Sequence, residues 1–347
     1  TVKKLKNKST KAKTKAKTKA KTKTQKRGHT LKKSCPLIKK CAPHIYDSNK
    51  QLKGRCPCSC FSRESLLKIA KAWNRYNDSG NEVGNKADNI KIYRNISSKR
   101  LKNAINTKLR NKCKEEWCWI QQEFIKRLND DEFQEFTFKP IMPEKWYSNK
   151  KQWLTTLDIE SVLAQYEIKY PDFVFIGPVP IDFDKELSFG KCVVDELCNI
   201  NLKSLYDDDI RKIGIVFNLD SHDKSGSHWV AMFCDLNKKG IYYWDSYADE
   251  APREVKKLMK RLKKQAKEMN LEMELHENHV RHQYKNSECG VYCINFIVRM
   301  LEGKSFNKVI QNKINDDKMN KMRDVYFIRD KKRELEIKNG GKSNSNE

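Results

Sequence analysis

The segment "CGVYCINFIVRMLEGKSF", residues 289–306, constrains the fold more than any other stretch. It is apolar on most sides of a helical wheel, so a helix formed here must be covered by protein nearly all round. Gly303 stands where that helix would stop, because glycine accepts the left-handed backbone of a C-terminal cap. Such a helix needs extended apolar surface to pack against, and the sequence supplies it upstream. "DFVFIGP", "RKIGIVFNLD", "SHWVAMFCDL" and "GIYYWDSY" read as strands rich in β-branched and aromatic residues, separated by Asp, Ser, Asn, Lys and Gly. "TTLDIESVLAQYEIKYP" reads as a helix stopped by Pro171. "APREVKKLMKRLKKQAKEMN" reads as a helix that starts at Pro252 and lays Val255, Leu258, Met259 and Leu262 under a basic solvent face. The expected class is α+β: a sheet with one buried helix against it.

The first part of the chain has a different character. Residues 1–34 contain fourteen lysines and Arg27 with no acidic residue, +15 of the net +27. The repeat "TKAKTKAKTKAKTKT" from Thr10 to Thr24 cannot bury enough surface to offset its ordering entropy, so this segment reads as a disordered basic tail. Dense positive charge of this kind attracts nucleic-acid phosphates without sequence preference; the plainer reading is a solvated or localisation tail. Residues 35–140 read as a small helical, cysteine-containing domain. Ser62 is placed to cap a helix carrying Leu66, Leu67, Ile69, Ala70 and Trp73, and Trp117, Trp119, Ile120, Phe124 and Leu128 suggest a second helix. "FKPIMPEKW", with two prolines, reads as the boundary to a larger domain over 150–330, followed by a flexible tail over 331–347.

No run approaches eighteen apolar residues and the N-terminus lacks a secretory pattern, so neither a membrane span nor export is expected. The twelve cysteines are then expected as reduced thiols in a cytosolic, nuclear or viral setting. Cys35, Cys41, Cys56, Cys58 and Cys60, with His44, are chemically capable of holding zinc. Their spacing is not the usual pair of C-x2-C knuckles, which weighs against a metal site.

The residues able to do chemistry fall late in the chain. His228 opens the run "HWV" and Asp245 closes "IYYWD"; adjacent strands joined by a short turn bring such ends together, giving a base and a carboxylate that orients it. Cys289 lies where the polar loop "KNSE" meets the buried helix, where free N–H groups and the positive dipole end favour a thiolate. Gly290 has no Cβ to obstruct a substrate backbone. Gln283, six residues earlier, can offer a side-chain amide to an oxyanion beside the Cys289 N–H. Cys293, one turn later, reads as core. Cys192 and Cys198 precede His228 in "GKCVVDELC", but that stretch offers no oxyanion partner and reads as a helix with buried thiols.

The order His228, Asp245, Gln283, Cys289, with "HWV", "YYWDS" and "ECG" around them, resembles the adenain-like and SUMO-protease-like cysteine proteases over about residues 150–305, most of all members from large nucleocytoplasmic DNA viruses. The resemblance implies a permuted papain-like core with the cysteine on the central helix. It implies His228 as general base, Asp245 as orienter, Gln283 as oxyanion donor and Cys289 as nucleophile. It further implies a narrow tunnel for Gly-Gly backbones, walled by Trp229 and, in a looser match within "QWLTTLDI", by Trp153. The function it implies is an endopeptidase cleaving after Gly-Gly in viral structural polyproteins during virion maturation, in the virion and host cytoplasm. The alternatives are a SUMO or ubiquitin-like deconjugating protease of nucleus or cytosol, and a catalytically dead, basic nucleic-acid-binding protein. No cofactor is required by the chemistry, although in the adenovirus relatives DNA serves as an activating polyanion and residues 1–34 can do the same by electrostatics. The "KNGGKSNSNE" terminus carries Gly340-Gly341, a self-processing site or simply a flexible tail.

Overall fold

A computed structural model describes residues 39–46, 59–79, 88–128, 130 and 136–340. The basic tail and Gly341 lie outside these residues, as do Cys35, Cys56 and Cys58. The described residues form one compact unit, a mixed α/β fold around a five-stranded sheet in the order β1-β2-β3-β4-β5. The strands are β1 (Phe173–Pro180), β2 (Lys212–Asn218), β3 (Trp229–Asp235), β4 (Gly240–Trp244) and β5 (Glu274–Glu277). The pairs β1–β2 and β4–β5 are parallel, while β2–β3 and β3–β4 are antiparallel. The first four strands lie where the apolar runs predict them. The fifth, "ELHE", has three polar residues of four and is partly exposed, so it carries no period-two signal of its own and is fixed by pairing with β4.

The helices named below are α1 (Arg63–Asp78), α2 (Ser98–Leu109), α3 (Thr156–Lys169), α4 (Arg253–Glu268), α5 (Cys289–Leu301) and α6 (Lys331–Gly340). Every residue of β3 is buried, and its side chains alternate between two cores. Trp229, Ala231 and Phe233 face the cluster that contains α5 and α3. Val230, Met232 and Cys234 face the cluster that contains α4. A strand covered on both faces reads as a continuous apolar run, as "WVAMFC" does. Helix α5 buries twelve of its thirteen residues, Arg299 excepted, and ends at Gly303 with φ +82°. Helix α3 begins with a reciprocal capping box between Thr155 and Asp158.

In the first part of the chain, Ser62 caps α1 by accepting from Ser65 N at 2.9 Å. The second helix expected there is instead two short turns, Glu116–Trp119 and Glu123–Lys126. The intervening Gln122 is extended, with ψ 142°, and breaks the periodicity of the apolar side chains. These elements and α2 surround their own apolar cluster, to which Ile328 from the far end of the chain also belongs.

The cysteines depart from the expectation of reduced thiols. Cys41–Cys60, Cys113–Cys118 and Cys192–Cys198 are disulfides, with Cα separations of 5.3, 5.5 and 6.3 Å, and Cys234, Cys289 and Cys293 are free and buried. Folding brings each pair within the span of a disulfide, which sequence spacing does not reveal. Two of the zinc candidates, Cys41 and Cys60, are therefore bonded to each other. Cys192 and Cys198 are not the buried thiols expected, and offer no nucleophile ahead of His228. Residues 331–340, expected as flexible tail, form α6. Its sequence lacks an apolar stripe, but Glu334 takes a two-pronged bond from Arg329 (2.8 and 2.6 Å) and Arg333 bonds Glu144, contacts made only in the folded chain.

One buried ion pair ties the C-terminal segment to the start of α5. Arg323 and Glu288 are 4% and 2% exposed; Arg323 donates to Glu288 Oε2 at 3.1 Å and to the Ser287 carbonyl at 3.2 Å. Asn320 and Ser287 donate to the other Glu288 oxygen. Removing one partner strands a buried charge. Arg323→Ala is expected to lower stability by about 3–5 kcal/mol in urea denaturation, and the paired Glu288→Gln/Arg323→Met variant to lose less.

Candidate active site

The antiparallel β3–β4 register sets Ala231 opposite Trp244, so His228, just before β3, and Asp245, just after β4, meet at one end of the sheet. His228 Nε2 lies 2.7 Å from Asp245 Oδ1. The same carboxylate oxygen accepts from the Tyr247 N–H at 3.0 Å, and Asn278 Nδ2 donates to the Asp245 carbonyl at 2.7 Å. Asp245 is 1% and the His228 side chain 12% exposed. With Nε2 committed to Asp245, the imidazole is also close enough to Cys289 for that thiol to favour its charged form. Burial is the largest single influence on His228 and disfavours its charged form. The hydrogen bonds and charges of Asp245 and Cys289 together outweigh it, raising the pKa to about 9.

Cys289 is the first residue of α5, 2% exposed, and packed in the core cluster with Cys293 a turn below. Burial pushes the Cys293 thiol well above the ordinary range. Gln283 is fully buried on the loop after β5. The backbone N–H groups of His282 and Gln283 both donate to the Ser246 carbonyl at 2.9 Å, and Ser246 Oγ holds Gln283 Oε1 at 2.6 Å. This presents the amide nitrogen, which donates to the Lys285 carbonyl (2.6 Å) and the Tyr247 hydroxyl (3.3 Å). Supporting an oxyanion would require one of these bonds to be exchanged.

Trp229 is buried, and its Nε1 donates to the Leu154 carbonyl at 3.1 Å. Trp153, 37% exposed, lines with Leu154 and Trp229 a cleft of about 540 Å³. A Cβ on Gly290 would lie 3.0 Å from Leu154 Cβ and 3.3 Å from Trp229 Cδ1, so the glycine lets these two wall residues close against α5.

Residues 205–335 match the Ulp1 protease family, C-terminal catalytic domain. Over 295 residues, 83% of this chain and 92% of the relative, the sequence is 33% identical to a protein named as a thiol protease of Acanthamoeba polyphaga mimivirus. The chain belongs to the Ulp1 thiol protease family. The protease is also 26% identical over 250 residues, 66% of this chain and 90% of the relative, to a SUMO-1 cysteine protease of African swine fever virus, Kenyan isolate. Its fold matches the crystal structure of an African swine fever virus protease with a TM-score of 0.57 at 22% identity, covering 84% of this chain and 96% of that one.

Several contributors to the protease site escaped the sequence reading. Tyr247 stacks on the His228 ring, with centroids 4.7 Å apart and 22° between planes. Ser246, Asn278 and Leu154 position the groups described above. The placement of Tyr247 and Ser246 directly after Asp245 was the available signal, but a tyrosine and a serine in a turn carry no chemistry of their own.

Two outcomes follow. Because the folded pKa of His228 lies above its ordinary 6.5, its contribution to stability is fully present below about pH 6.5 and is lost as pH rises through about 9. The pH profile of kcat/KM should accordingly fall on a basic limb near 9, and Asp245→Asn should move that limb downward. Gly290→Ala should destabilise the fold by about 1–3 kcal/mol through overpacking, measured by thermal melting, and depress peptide cleavage by displacing Leu154 or Trp229.

Proposed function

We propose that the protease is an endopeptidase cleaving after Gly-Gly, acting on viral structural polyproteins during virion maturation. The observation that carries this reading is the His228–Asp245 hydrogen bond, with the Cys289 thiol acting on the same imidazole, beside a cleft walled by Trp153, Leu154 and Trp229. A narrow aromatic-lined passage suits a chain without side chains, and glycine alone has none. The arrangement, with base and carboxylate on the sheet and nucleophile on the buried helix in the chain order His, Asp, Cys, supports a permuted papain-like core.

In this mechanism Cys289 gives its proton to His228, and the thiolate attacks the glycine carbonyl. The Cys289 backbone N–H and the Gln283 amide stabilise the oxyanion. The C–N bond then breaks as the His228 imidazolium protonates the leaving amine, giving a thioester. His228 next takes a proton from water, hydroxide adds to the thioester carbonyl, and collapse releases the glycine carboxylate and returns the thiol. Asp245 holds the imidazole oriented and supports its positive charge throughout.

The relatives come from large DNA viruses, which supports polyprotein maturation in the virion and host cytoplasm. The African swine fever virus relative is named a SUMO-1 cysteine protease, which supports the second reading, deconjugation of a ubiquitin-like protein. The lysine-rich residues 1–34 support binding of nucleic acid as an activating polyanion. Purified protease should cleave a fluorogenic Gly-Gly peptide. Cys289→Ala should abolish that turnover, and Gln283→Ala should reduce kcat by on the order of 10²–10³. Full turnover by Cys289→Ala would sink the assignment. Side-by-side incubation with viral precursors and with SUMO and ubiquitin conjugates separates the two substrate classes.

A further inference from the structure

A second cavity, of about 670 Å³, borders the catalytic pair apart from the tryptophan cleft, and its lining includes Lys151, Tyr247, Asp249, Arg281, Tyr284 and Lys285. Its position follows from shared residues. Tyr247 forms part of its wall and stacks on His228. The loop Tyr284–Ser287, also in the wall, runs directly into Glu288 and Cys289. Lys151 lines this cavity while its neighbours Gln152, Trp153 and Leu154 line the other. An extended chain lying along 151–154 and crossing Cys289 would therefore occupy both. If the glycines fill the tryptophan cleft, as the proposed function has it, the new amino terminus leaves through this second cavity.

The cavity is built to hold a cation in place. The Arg281 guanidinium sits between two rings, 5.2 Å from the Tyr247 centroid and 5.0 Å from that of the largely exposed Tyr284. Its Nε donates to the Gln283 carbonyl at 2.8 Å, and its two terminal nitrogens make no hydrogen bond among the described residues. The backbone beneath is fixed, since Asp316 Oδ2 accepts from the Tyr284 and Lys285 N–H groups at 3.0 and 3.2 Å. Lys285 is paired with Asp317 at 2.6 Å. Lys151 and Arg281 have no ion-pair partner among the described residues, and Asp249 is the lining's single acid. A planar guanidinium held at its stem with its fork free matches a carboxylate.

We propose that this cavity binds an acidic side chain on the leaving-group side of the scissile bond, with Arg281 as the principal contact and Lys151 as support. Tyr247 both lines the cavity and stacks on His228, so the acid falls within the first few positions after the cut. The preference is a property of the substrate's far side and is independent of what precedes the bond.

The test is cleavage of a proteome-derived peptide library by the full chain at low and high salt, with both sides of every cut sequenced. Asp or Glu should be enriched about tenfold after the cut at low salt, the effect of one charge-assisted hydrogen bond, and less at high salt. Arg281→Gln/Lys151→Gln should reduce the enrichment to within about twofold, and Arg281→Lys should retain part of it. Enrichment is a ratio within each enzyme, so a general loss of activity does not imitate the result; melting curves report folding. Absence of acidic enrichment in the wild type, or its persistence in the double variant, overturns the proposal. Acidic enrichment without Gly-Gly before the cut would remove the proposed function and leave this inference standing. Gly-Gly without acidic enrichment would do the reverse, and a wild-type chain that cuts nothing overturns both.

Discussion

The burial of α5 is the constraint on which the rest of the protease depends. A helix with a single half-exposed residue cannot exist without cover, and it obtains that cover from β3, β4, α3 and the segments after Gly303. Its one polar end is consequently pinned where the sheet ends, and the first residue at that end is Cys289. The position of Cys289 is thus a by-product of hydrophobic packing. The same packing makes its neighbourhood dry, which by itself disfavours a charged imidazole; Asp245 and Cys289 together outweigh that cost and keep the proton on His228.

Polar contacts then locate what packing alone cannot. The turn after β4 acts as a small frame: Asp245 takes His228 and the Tyr247 N–H, Ser246 takes the backbone and side chain of Gln283, and Tyr247 covers the imidazole. On the other side of Cys289, Glu288 is held by Arg323, Asn320 and Ser287. The residues flanking Cys289 are therefore fixed from both directions, by a turn more than forty residues before it and by Asn320 and Arg323 more than thirty residues after it. A site that must position a thiolate and an oxyanion donor together benefits from such support, since loosely held donors lose much of their electrostatic effect.

The parts of the fold legible in the sequence are those with strong periodicity. β3 and α5 announce themselves because nearly every side chain is apolar, and α4 because its apolar stripe is sharp. β5 and α6 were not legible, since one is held by its neighbour β4 and the other by ion pairs to Arg329 and Glu144. The short turns around Trp117 and Phe124 reproduced a helical spacing without a continuous helix. At the site, His228, Asp245, Gln283 and Cys289 were legible through the order that resembles a known protease family, and the structure brings His228 and Asp245 within 2.7 Å of each other.

The sequence by itself determined which groups are available for chemistry, in what order, and which strands must be buried on both faces, because these depend on residue identity and local period. Only the tertiary structure decided how those groups are used. It decided that Gly290 serves the wall formed by Leu154 and Trp229, that Gln283 is anchored through Ser246, that six cysteines pair, and that Arg281 stands between two tyrosines with its fork free. Each of these is a contact between residues distant in sequence or turned by a loop, and such contacts are set by how the whole chain packs.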